Sequence, residues 1–180
     1  MNTTITQSKM MEELLILVDE NDNELGVLDK LTAHQTGSLH RAFSVFIFNS
    51  NNELLLQKRA DEKYHSAGLW SNTCCSHPRD GEKIFEAINR RLREEMGMQC
   101  NTHFKFSFIY KIQFENGLTE HELDHVYFGK SDELPIPDHA EVKEWKYVSL
   151  HKLEKEISLN PNQFSEWMKI CLPKVAEHWN

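Results

Sequence analysis

The sequence predicts an α/β (α+β) domain in which a mixed β-sheet is flanked by helices. Segments with strand-like patterning dominate the chain, and the first four form two consecutive hairpins. One strongly amphipathic helix lies near the middle, and the C-terminal end has further helical patterning. Consecutive hairpins do not fit a doubly wound βαβ repeat. We therefore expect the sheet and the helices to form separate packed layers.

The N-terminal part contains the two predicted hairpins. Residues 13–19 have the pattern of a strand, and residues 25–28 form its partner beyond a polar turn. Residues 41–48 carry apolar side chains on both faces, which indicates a strand that is covered on both sides. A polar turn at residues 49–52 leads into the next strand, over residues 53–58.

The central part combines an expected loop with a strong helix. Residues 63–80 show no clear period and contain two adjacent cysteines, so we expect a long loop, and long ordered loops are often functional. The helix is predicted to open at Gly81 and Glu82 and to end at a C-cap glycine, Gly97. Its apolar positions recur every four residues, at Ile84, Ile88, Leu92 and Met96.

Three strands and two helices are predicted after Gly97. The strands cover residues 104–114, 120–129 and 144–148. Ser149 is expected to cap a short helix, and Asn160 followed by Pro161 is expected to start another. Pro173 should kink or interrupt that last helix.

The composition is that of an acidic globular protein, with 28 acidic and 20 basic residues and a formal net charge of −8. Nucleic acid is not an expected partner, because proteins that bind it normally present a basic field. No apolar run is long enough to span a bilayer, and the N-terminus lacks the features of a signal peptide. We therefore expect a cytoplasmic protein, with residues 1–12 as a loose tail and residues 13–180 as one domain.

The four cysteines indicate free thiols. Cys74 and Cys75 are adjacent, and no CxxC pair occurs, which is typical of a protein from a reducing compartment. Neighbouring residues on an extended segment face opposite ways, so we expect only one of the two to reach a pocket. A thiol beside a metal or a basic cluster would have a lowered pKa and could transfer protons, whereas most buried cysteines are simply small hydrophobic residues.

Two carboxylates and three imidazoles are candidate metal ligands. Glu120 and Glu122 point to the same face of a predicted strand, where they repel each other unless a cation or a shared proton lies between them. A solvated strand face is the simpler interpretation of that pair alone. His34, His40 and His77 lie beside predicted turns or strand starts and would complete a five-ligand site for Mn²⁺ or Zn²⁺. The sequence pattern alone does not show that these five residues lie close together in the fold.

The charged face of the central helix offers a second possible ion site. Glu95 at the helix end could bind Mg²⁺, which takes one or two protein carboxylates together with phosphate oxygens. The alternative is a simple ion pair with Arg91, one turn away. Four basic residues are candidates for holding phosphates, and each could equally be an ordinary surface charge: Lys30, Arg59, Lys63 and Arg91.

The segment from Ser76 to Gly97 resembles a Nudix box, whose usual form is Gx5Ex7REUxEExGU, where U is aliphatic. Two positions depart from that form. Ser76 stands where the box has a glycine, and Arg91 stands where the box has the glutamate of its RE pair. That glutamate normally helps to bind the metal ions of Nudix hydrolases, so its loss argues against diphosphate hydrolysis.

Further motifs resemble the type I isopentenyl diphosphate isomerases, which are built on a Nudix-like layered fold. The resemblance rests on His34 and on four motifs in the same order: LHRAFS at 39–44, WSNTCCSHP at 70–78, EHE at 120–122 and FSxWM at 164–168. It covers about residues 13–170. It implies an enzyme of isoprenoid biosynthesis that interconverts isopentenyl diphosphate and dimethylallyl diphosphate.

The isomerase resemblance also implies two ion sites. Mg²⁺ would bind the substrate diphosphate and Glu95. A second divalent ion, which could be Mn²⁺, Mg²⁺ or Zn²⁺, would be held by His34, His40, His77, Glu120 and Glu122.

The same resemblance implies a proton-transfer pair, Cys75 and Glu122, with Tyr110 supporting Glu122. Protonation of the alkene would give a tertiary carbocation, and loss of a different proton would complete the isomerisation. Trp167 would face the hydrocarbon. The diphosphate would contact the four basic residues Lys30, Arg59, Lys63 and Arg91.

Two other functions are alternatives to the isomerase. A true Nudix hydrolase would release phosphate or nucleotide without isomerisation, and a non-catalytic metal-binding module would not respond to replacement of Cys75. For the isomerase, the expected partner is a small allylic or homoallylic diphosphate, without nucleic acid or membrane. The expected assembly is a monomer or a weak dimer.

Overall fold

A computed structural model describes residues 13–63 and 65–179, so the predicted tail at residues 1–12 lies outside the described residues. The strands are β1 Leu14–Val18, β2 Glu24–Asp29, β3 His40–Phe48, β4 Glu53–Arg59, β5 Trp70–Ser71, β6 Cys74–Ser76, β7 Thr102–Gln113, β8 Thr119–Lys130 and β9 Val142–Ser149. The α-helices are α1 Lys30–Thr36, α2 Ile84–Met96, α3 Leu150–Leu159 and α4 Glu166–His178. A short 3₁₀ helix, Pro161–Gln163, precedes α4.

The nine strands form one mixed sheet that is organised around β3. Along one edge, β3 pairs in parallel with β8 over its whole length, from His40 opposite Glu122 to Phe48 opposite Lys130. The other edge is shared by three antiparallel strands, β1, β6 and β4. Strands β7 and β9 extend the sheet by pairing with β8 and β4. The predicted mixed sheet with flanking helices is confirmed.

Strand β3 separates two apolar cores, as its two-sided pattern predicts. Phe46 and Phe48 belong to a core that is covered by α3 and α4. Phe43, Val45 and Ile47 belong to the opposite core, which is covered by α2. Because side chains alternate along a strand, β3 anchors helices on both faces of the sheet.

The sequence correctly predicts both hairpins and the helix α2. Gly97 ends α2 in the left-handed conformation, with φ of 61°, and its N–H bonds to carbonyl oxygens of the last turn. Ser149 caps α3, where its side chain accepts a hydrogen bond from the N–H of Lys152. The alternation in the later part of the chain likewise corresponds to β7, β8 and β9.

Three expectations about local structure are wrong or incomplete. The region 63–80 is not all loop, because it contains β5 and β6, which are too short to show alternation. Helix α1 was not predicted, although Asp29 caps its start and Gly37 its end. Pro161 starts only a 3₁₀ turn, and α4 begins at Glu166 and continues through Pro173 without interruption.

No helix within the described ranges is both long enough and apolar enough to cross a membrane. The longest α-helices, α2 and α4, have 13 residues each. A membrane-spanning helix needs roughly 20 apolar residues.

We expect Gly97→Ala to destabilise the protein more than Gly81→Ala. Both glycines have positive φ, 61° and 71°, so alanine costs about 1–2 kcal/mol of backbone strain at either position. An added Cβ at Gly97 would also overlap the carbonyl oxygen of Ile136, whereas at Gly81 it meets nothing within 4 Å. Overpacking adds roughly 1–3 kcal/mol. Urea unfolding of both variants measures the difference, and equal losses would contradict it.

Candidate active site

A cavity of about 750 Å³ opens beside β6 and β8, a size typical of small-molecule sites. Its lining includes most of the residues that the sequence singles out: Lys30, Arg59, Lys63, Cys75, His77, Arg91, Glu95, Tyr110, Glu120, Glu122 and Trp167. The structure therefore brings together side chains from widely separated parts of the sequence. His34 and His40 are not part of the lining and lie deeper, with 1% and 0% of their surface exposed.

Three buried imidazoles and one carboxylate form a compact cluster at the base of the cavity. His34 comes from α1, His40 from the start of β3, His77 from the residue after β6, and Glu120 from β8. One ligating atom from each lies within 4.8 Å of the others. The centres of the His34 and His40 rings are 5.2 Å apart, and those of His40 and His77 are 5.0 Å apart.

Glu122 lies against this cluster, on the same face of β8 as Glu120. His77 Nε2 is 2.9 Å from Glu122 Oε1, and His40 Nε2 is 3.7 Å from the same oxygen. Tyr110 donates a hydrogen bond of 2.5 Å to the other oxygen, Oε2. The strand register accounts for these contacts, because Glu122 is opposite His40 on one side and opposite Tyr110 on the other.

The charge states of the cluster suit a divalent cation. Burial lowers the pKa of His34 to about 3, which keeps the imidazole neutral at physiological pH. Burial favours the neutral form of Glu122, but His40 and His77 outweigh it and hold the pKa of that carboxyl well below its usual range. Burial opposes protonation of His40, but the Glu122 carboxylate outweighs it and raises the pKa of that imidazole. Neutral imidazoles and ionised carboxylates are the forms that bind metals, so an ion would displace the proton wherever His40 carries one.

The orientation of single atoms also fits a bound cation. Nδ1 of His40 is 2.9 Å from the carbonyl oxygen of Ser38 and donates to it, so the lone pair of Nε2 points into the cluster. Within the part of the chain that the structure describes, His40 Nε2 and Glu120 Oε2 are buried and have no hydrogen-bond partner. A divalent ion would satisfy both atoms, since it accepts lone pairs and needs no proton.

Cys75 reaches the cavity, whereas Cys74 faces the core beneath α2. Adjacent residues of β6 alternate, so the expectation that one of the two thiols reaches a pocket is confirmed. The lowered thiol pKa that a basic cluster would give is not found. Burial raises the pKa of Cys75 to about 12, and the carboxylates of Glu95 and Glu122 add to the effect, while Arg59 opposes it. The thiol is therefore protonated.

Trp167 forms another wall of the cavity, at the start of α4. Its indole Nε1 donates a hydrogen bond of 2.8 Å to Ser71 Oγ, which fixes the plane of the ring. The guanidinium carbon of Arg59 lies 5.1 Å from the centre of the ring, within cation–π range. The indole is 5% exposed and is one of the few apolar side chains in a lining that is otherwise mostly charged or polar.

Three of the four candidate phosphate-binding residues, Lys30, Lys63 and Arg91, are paired with carboxylates in this structure. Arg91 bonds Glu95 at 2.5 Å and approaches Glu141 at 3.2 Å. The Lys63 ammonium group forms an ion pair with Glu141 as well. Lys30 forms a 3.0 Å ion pair with Glu13. The Arg91–Glu95 pair lies in the wall of the cavity and is not an ordinary surface pair.

Three residues of the site were not predicted from the sequence. Glu13 and Glu141 balance the charge of the basic wall, and His65 makes a 2.7 Å contact with Glu120. Only His65 carried a signal, because it lies in the region 63–80 that lacks a period and was expected to be functional.

Comparison with known proteins identifies the family. The NUDIX domain model matches residues 38–168. The chain is 53% identical over 165 residues to the isopentenyl-diphosphate Delta-isomerase 1 of Aromatoleum aromaticum, an alignment that covers 92% of this chain and 93% of the relative. It is 48% identical to the isopentenyl-diphosphate Delta-isomerase of Pectobacterium atrosepticum, with 92% of each chain covered.

Solved structures support the fold. The crystal structure of DR0079 from Deinococcus radiodurans superimposes with a TM-score of 0.74 at 20% identity, covering 93% of this chain and all of that one. The MutT protein from Methanosarcina mazei Go1 gives a TM-score of 0.63 at 17% identity, covering 77% and 94%. At such low identity these structures define the architecture alone. With the identity to its sequence relatives, the chain belongs to the type I isopentenyl-diphosphate Delta-isomerases of the NUDIX superfamily.

Proposed function

We propose that the protein interconverts isopentenyl diphosphate and dimethylallyl diphosphate through a tertiary carbocation. One observation carries the proposal. Cys75 and Glu122 line the same cavity but come from β6 and β8, which pair with opposite edges of β3. Two proton-transfer groups on separate strands can reach different carbons of one short chain.

The reaction adds one proton and removes another, so no redox partner is required. A proton is delivered to the terminal methylene carbon, positive charge develops at the neighbouring tertiary carbon, and a proton then leaves the carbon on its other side. In the resting site, Cys75 carries a proton and Glu122 is ionised. Because the interconversion is reversible, the donor and the acceptor exchange roles when the direction reverses.

Trp167 is the candidate for stabilising the carbocation. An indole face contributes about 2 kcal/mol to a desolvated cation. The guanidinium of Arg59 lies within cation–π range of this ring. This contact supports the proposal that the face of the indole can stabilise a positive charge. Closure around the bound substrate would also have to exclude water, which would otherwise capture the cation as an alcohol.

We assign one divalent ion to His34, His40, His77, Glu120 and Glu122, with Mn²⁺, Mg²⁺ and Zn²⁺ as candidates. Mg²⁺ would join the substrate diphosphate to Glu95, which Gln57 Nε2 holds at 2.8 Å. When bound, the ions supply positive charge that tunes the proton affinity of Glu122 and neutralises phosphate oxygens.

The diphosphate would bind Lys30, Arg59, Lys63 and Arg91. This local basic cluster lets an acidic protein accept an anionic substrate. The substrate must compete with Glu141 for both Lys63 and Arg91, and with Glu13 for Lys30. We place the enzyme in the cytoplasm, as a monomer or a weak dimer.

We expect purified protein to convert isopentenyl diphosphate into dimethylallyl diphosphate, measured by proton NMR with Mg²⁺ present. Cys75→Ala and Glu122→Gln should each lower kcat by about 10²–10⁴-fold, the usual contribution of a general acid or base. Cys100→Ala is the matched control, because this buried cysteine lies outside the lining of the cavity and its loss should leave turnover intact.

The alternative functions predict other outcomes in that assay. Wild-type protein that releases phosphate or nucleotide from nucleoside diphosphate derivatives, without moving a double bond, would indicate a hydrolase. If wild type isomerises and Cys75→Ala does so at the same rate, the reaction stands but the proton-transfer pair is wrong.

Tyr110→Phe should lower kcat by roughly 10-fold to 100-fold while KM stays nearly constant, because its hydroxyl donates to Glu122, the proposed proton-transfer group. Tyr147→Phe is the control, since that hydroxyl makes only a 3.5 Å contact with a backbone oxygen. Steady-state kinetics of both variants provides the measurement. A rise in KM alone would argue for a role in substrate binding.

Chelation should abolish turnover and lower the thermal stability of the protein. Restoring an ion at a hundred times its Kd should raise the free energy of unfolding by about 2.7 kcal/mol.

Titration calorimetry with Mn²⁺, Mg²⁺ and Zn²⁺ identifies the preferred ion, and its affinity should fall as the pH falls, because protons compete for the ligands. Glu120→Gln should weaken binding and the exposed Glu115→Gln should not. Equal affinities for those two variants would remove Glu120 from the ligand set.

A further inference from the structure

His65 is a buried imidazole that none of the assigned roles uses. It lies between β4 and β5, and its side chain is 6% exposed. The backbone around it is held by local hydrogen bonds, in which Arg59 Nη2 donates to the His65 carbonyl oxygen at 3.4 Å and Leu69 N–H donates to the Ser66 carbonyl oxygen at 3.3 Å. The imidazole thus has a defined position over the candidate metal site.

Contacts with several neighbouring side chains position the ring of His65. Its Nε2 lies 2.7 Å from Glu120 Oε1. The ring stacks on Phe114 with 4.7 Å between centres and 14° between planes. It also contacts Trp167 edge-on, at 5.6 Å and 82°. A carboxylate oxygen can only accept, so Nε2 is the nitrogen through which His65 would donate to Glu120, although in this structure the ring is turned so that its N–H is off the line to Oε1.

Glu120 and Glu122 are held in matching ways. Tyr110 donates to Oε2 of Glu122, and the other oxygen of that carboxylate faces His40 and His77. Similarly, His65 approaches Oε1 of Glu120, and Oε2 lies 3.7 Å from Nε2 of His34. Each carboxylate therefore has one oxygen close to a donor group, bonded by Tyr110 in Glu122 and 2.7 Å from His65 Nε2 in Glu120, and one oxygen turned toward the other imidazoles.

We propose that His65 is a positioning residue that turns Oε2 of Glu120 toward the divalent ion and couples this ligand to the indole of Trp167. The inference rests on the proposed metal site and deepens it. Hydrogen bonds from a second layer of residues orient metal ligands and typically change metal affinity by about 10–100-fold. The stacked ring of Phe114 and the edge-on ring of Trp167 restrict the motion of the imidazole, so its position beside Glu120 is set before an ion binds.

Two substitutions separate the hydrogen bond of His65 from its packing. His65→Phe keeps a flat ring between Phe114 and Trp167 but removes the donor. His65→Gln loses the stacking but retains an amide N–H that can reach Glu120 Oε1. His151→Phe, on the exposed side of α3, is the control for loss of a histidine.

The experiment measures ion affinity by chelator competition and the visible spectrum of the Co²⁺-substituted protein, both without substrate. His65→Phe should bind Mn²⁺ and Co²⁺ about 10–100-fold more weakly and show an altered Co²⁺ spectrum. His65→Gln should recover most of the affinity and the wild-type spectrum. His151→Phe should match wild type in both measurements. Thermal unfolding of the metal-free variants confirms that each is folded.

The outcomes distinguish this inference from the proposed reaction. Unchanged affinity and spectrum in His65→Phe would overturn it, and so would a His65→Gln variant as weak as His65→Phe, because packing would then be the cause. Wild type that binds no ion would overturn both the metal site and the inference. Wild type that binds the ion without isomerising its substrate would remove the reaction and leave the role of His65 in place.

Discussion

The parallel pairing of β3 with β8 is the constraint on which the site depends. Nine successive residue pairs fix the register, and the first of them sets His40 beside Glu122. A shift by one residue would turn Glu120 and Glu122 to the other face of the sheet. On its opposite edge β3 holds β6, with Ser44 opposite Cys75. One buried strand therefore aligns the candidate metal ligands of β3 and β8 with the thiol of Cys75, while its apolar side chains anchor helices on both faces.

Burial raises the free-energy cost of placing charged groups at this site. Glu120 and Glu122 are 5% and 8% exposed, and two adjacent buried carboxylates repel each other strongly. The imidazoles of His77 and His65 and the hydroxyl of Tyr110 offset part of this repulsion. The remaining need for positive charge is what a divalent cation meets. The low dielectric that makes these carboxylates costly also strengthens their effect on a cationic intermediate.

Local periodicity predicts much of the fold and part of the site. Helix α2 and the long strands repeat a pattern over many residues, and strand alternation places Glu120 and Glu122 on one face. Elements such as α1, β5 and β6 are too short for a period, so tertiary contacts decide them. The raised pKa of Cys75 depends on burial and on carboxylates distant in sequence. His65 lies outside any periodic element, so only the folded chain reveals its contact with Glu120.

The dispersal of the candidate metal ligands over α1, β3, β8 and the residue after β6 has a consequence for folding kinetics. Pairing β3 with β8 closes a long segment of chain, and such non-local contacts form slowly. The ion cannot bridge its ligands until that pairing exists, unlike the ion of a zinc finger, which organises a short peptide. Metal uptake must therefore follow collapse of the sheet. With the proposed ligand set, the chain would reach its native topology before an ion could contribute, and a bound ion would then act mainly by slowing later unfolding.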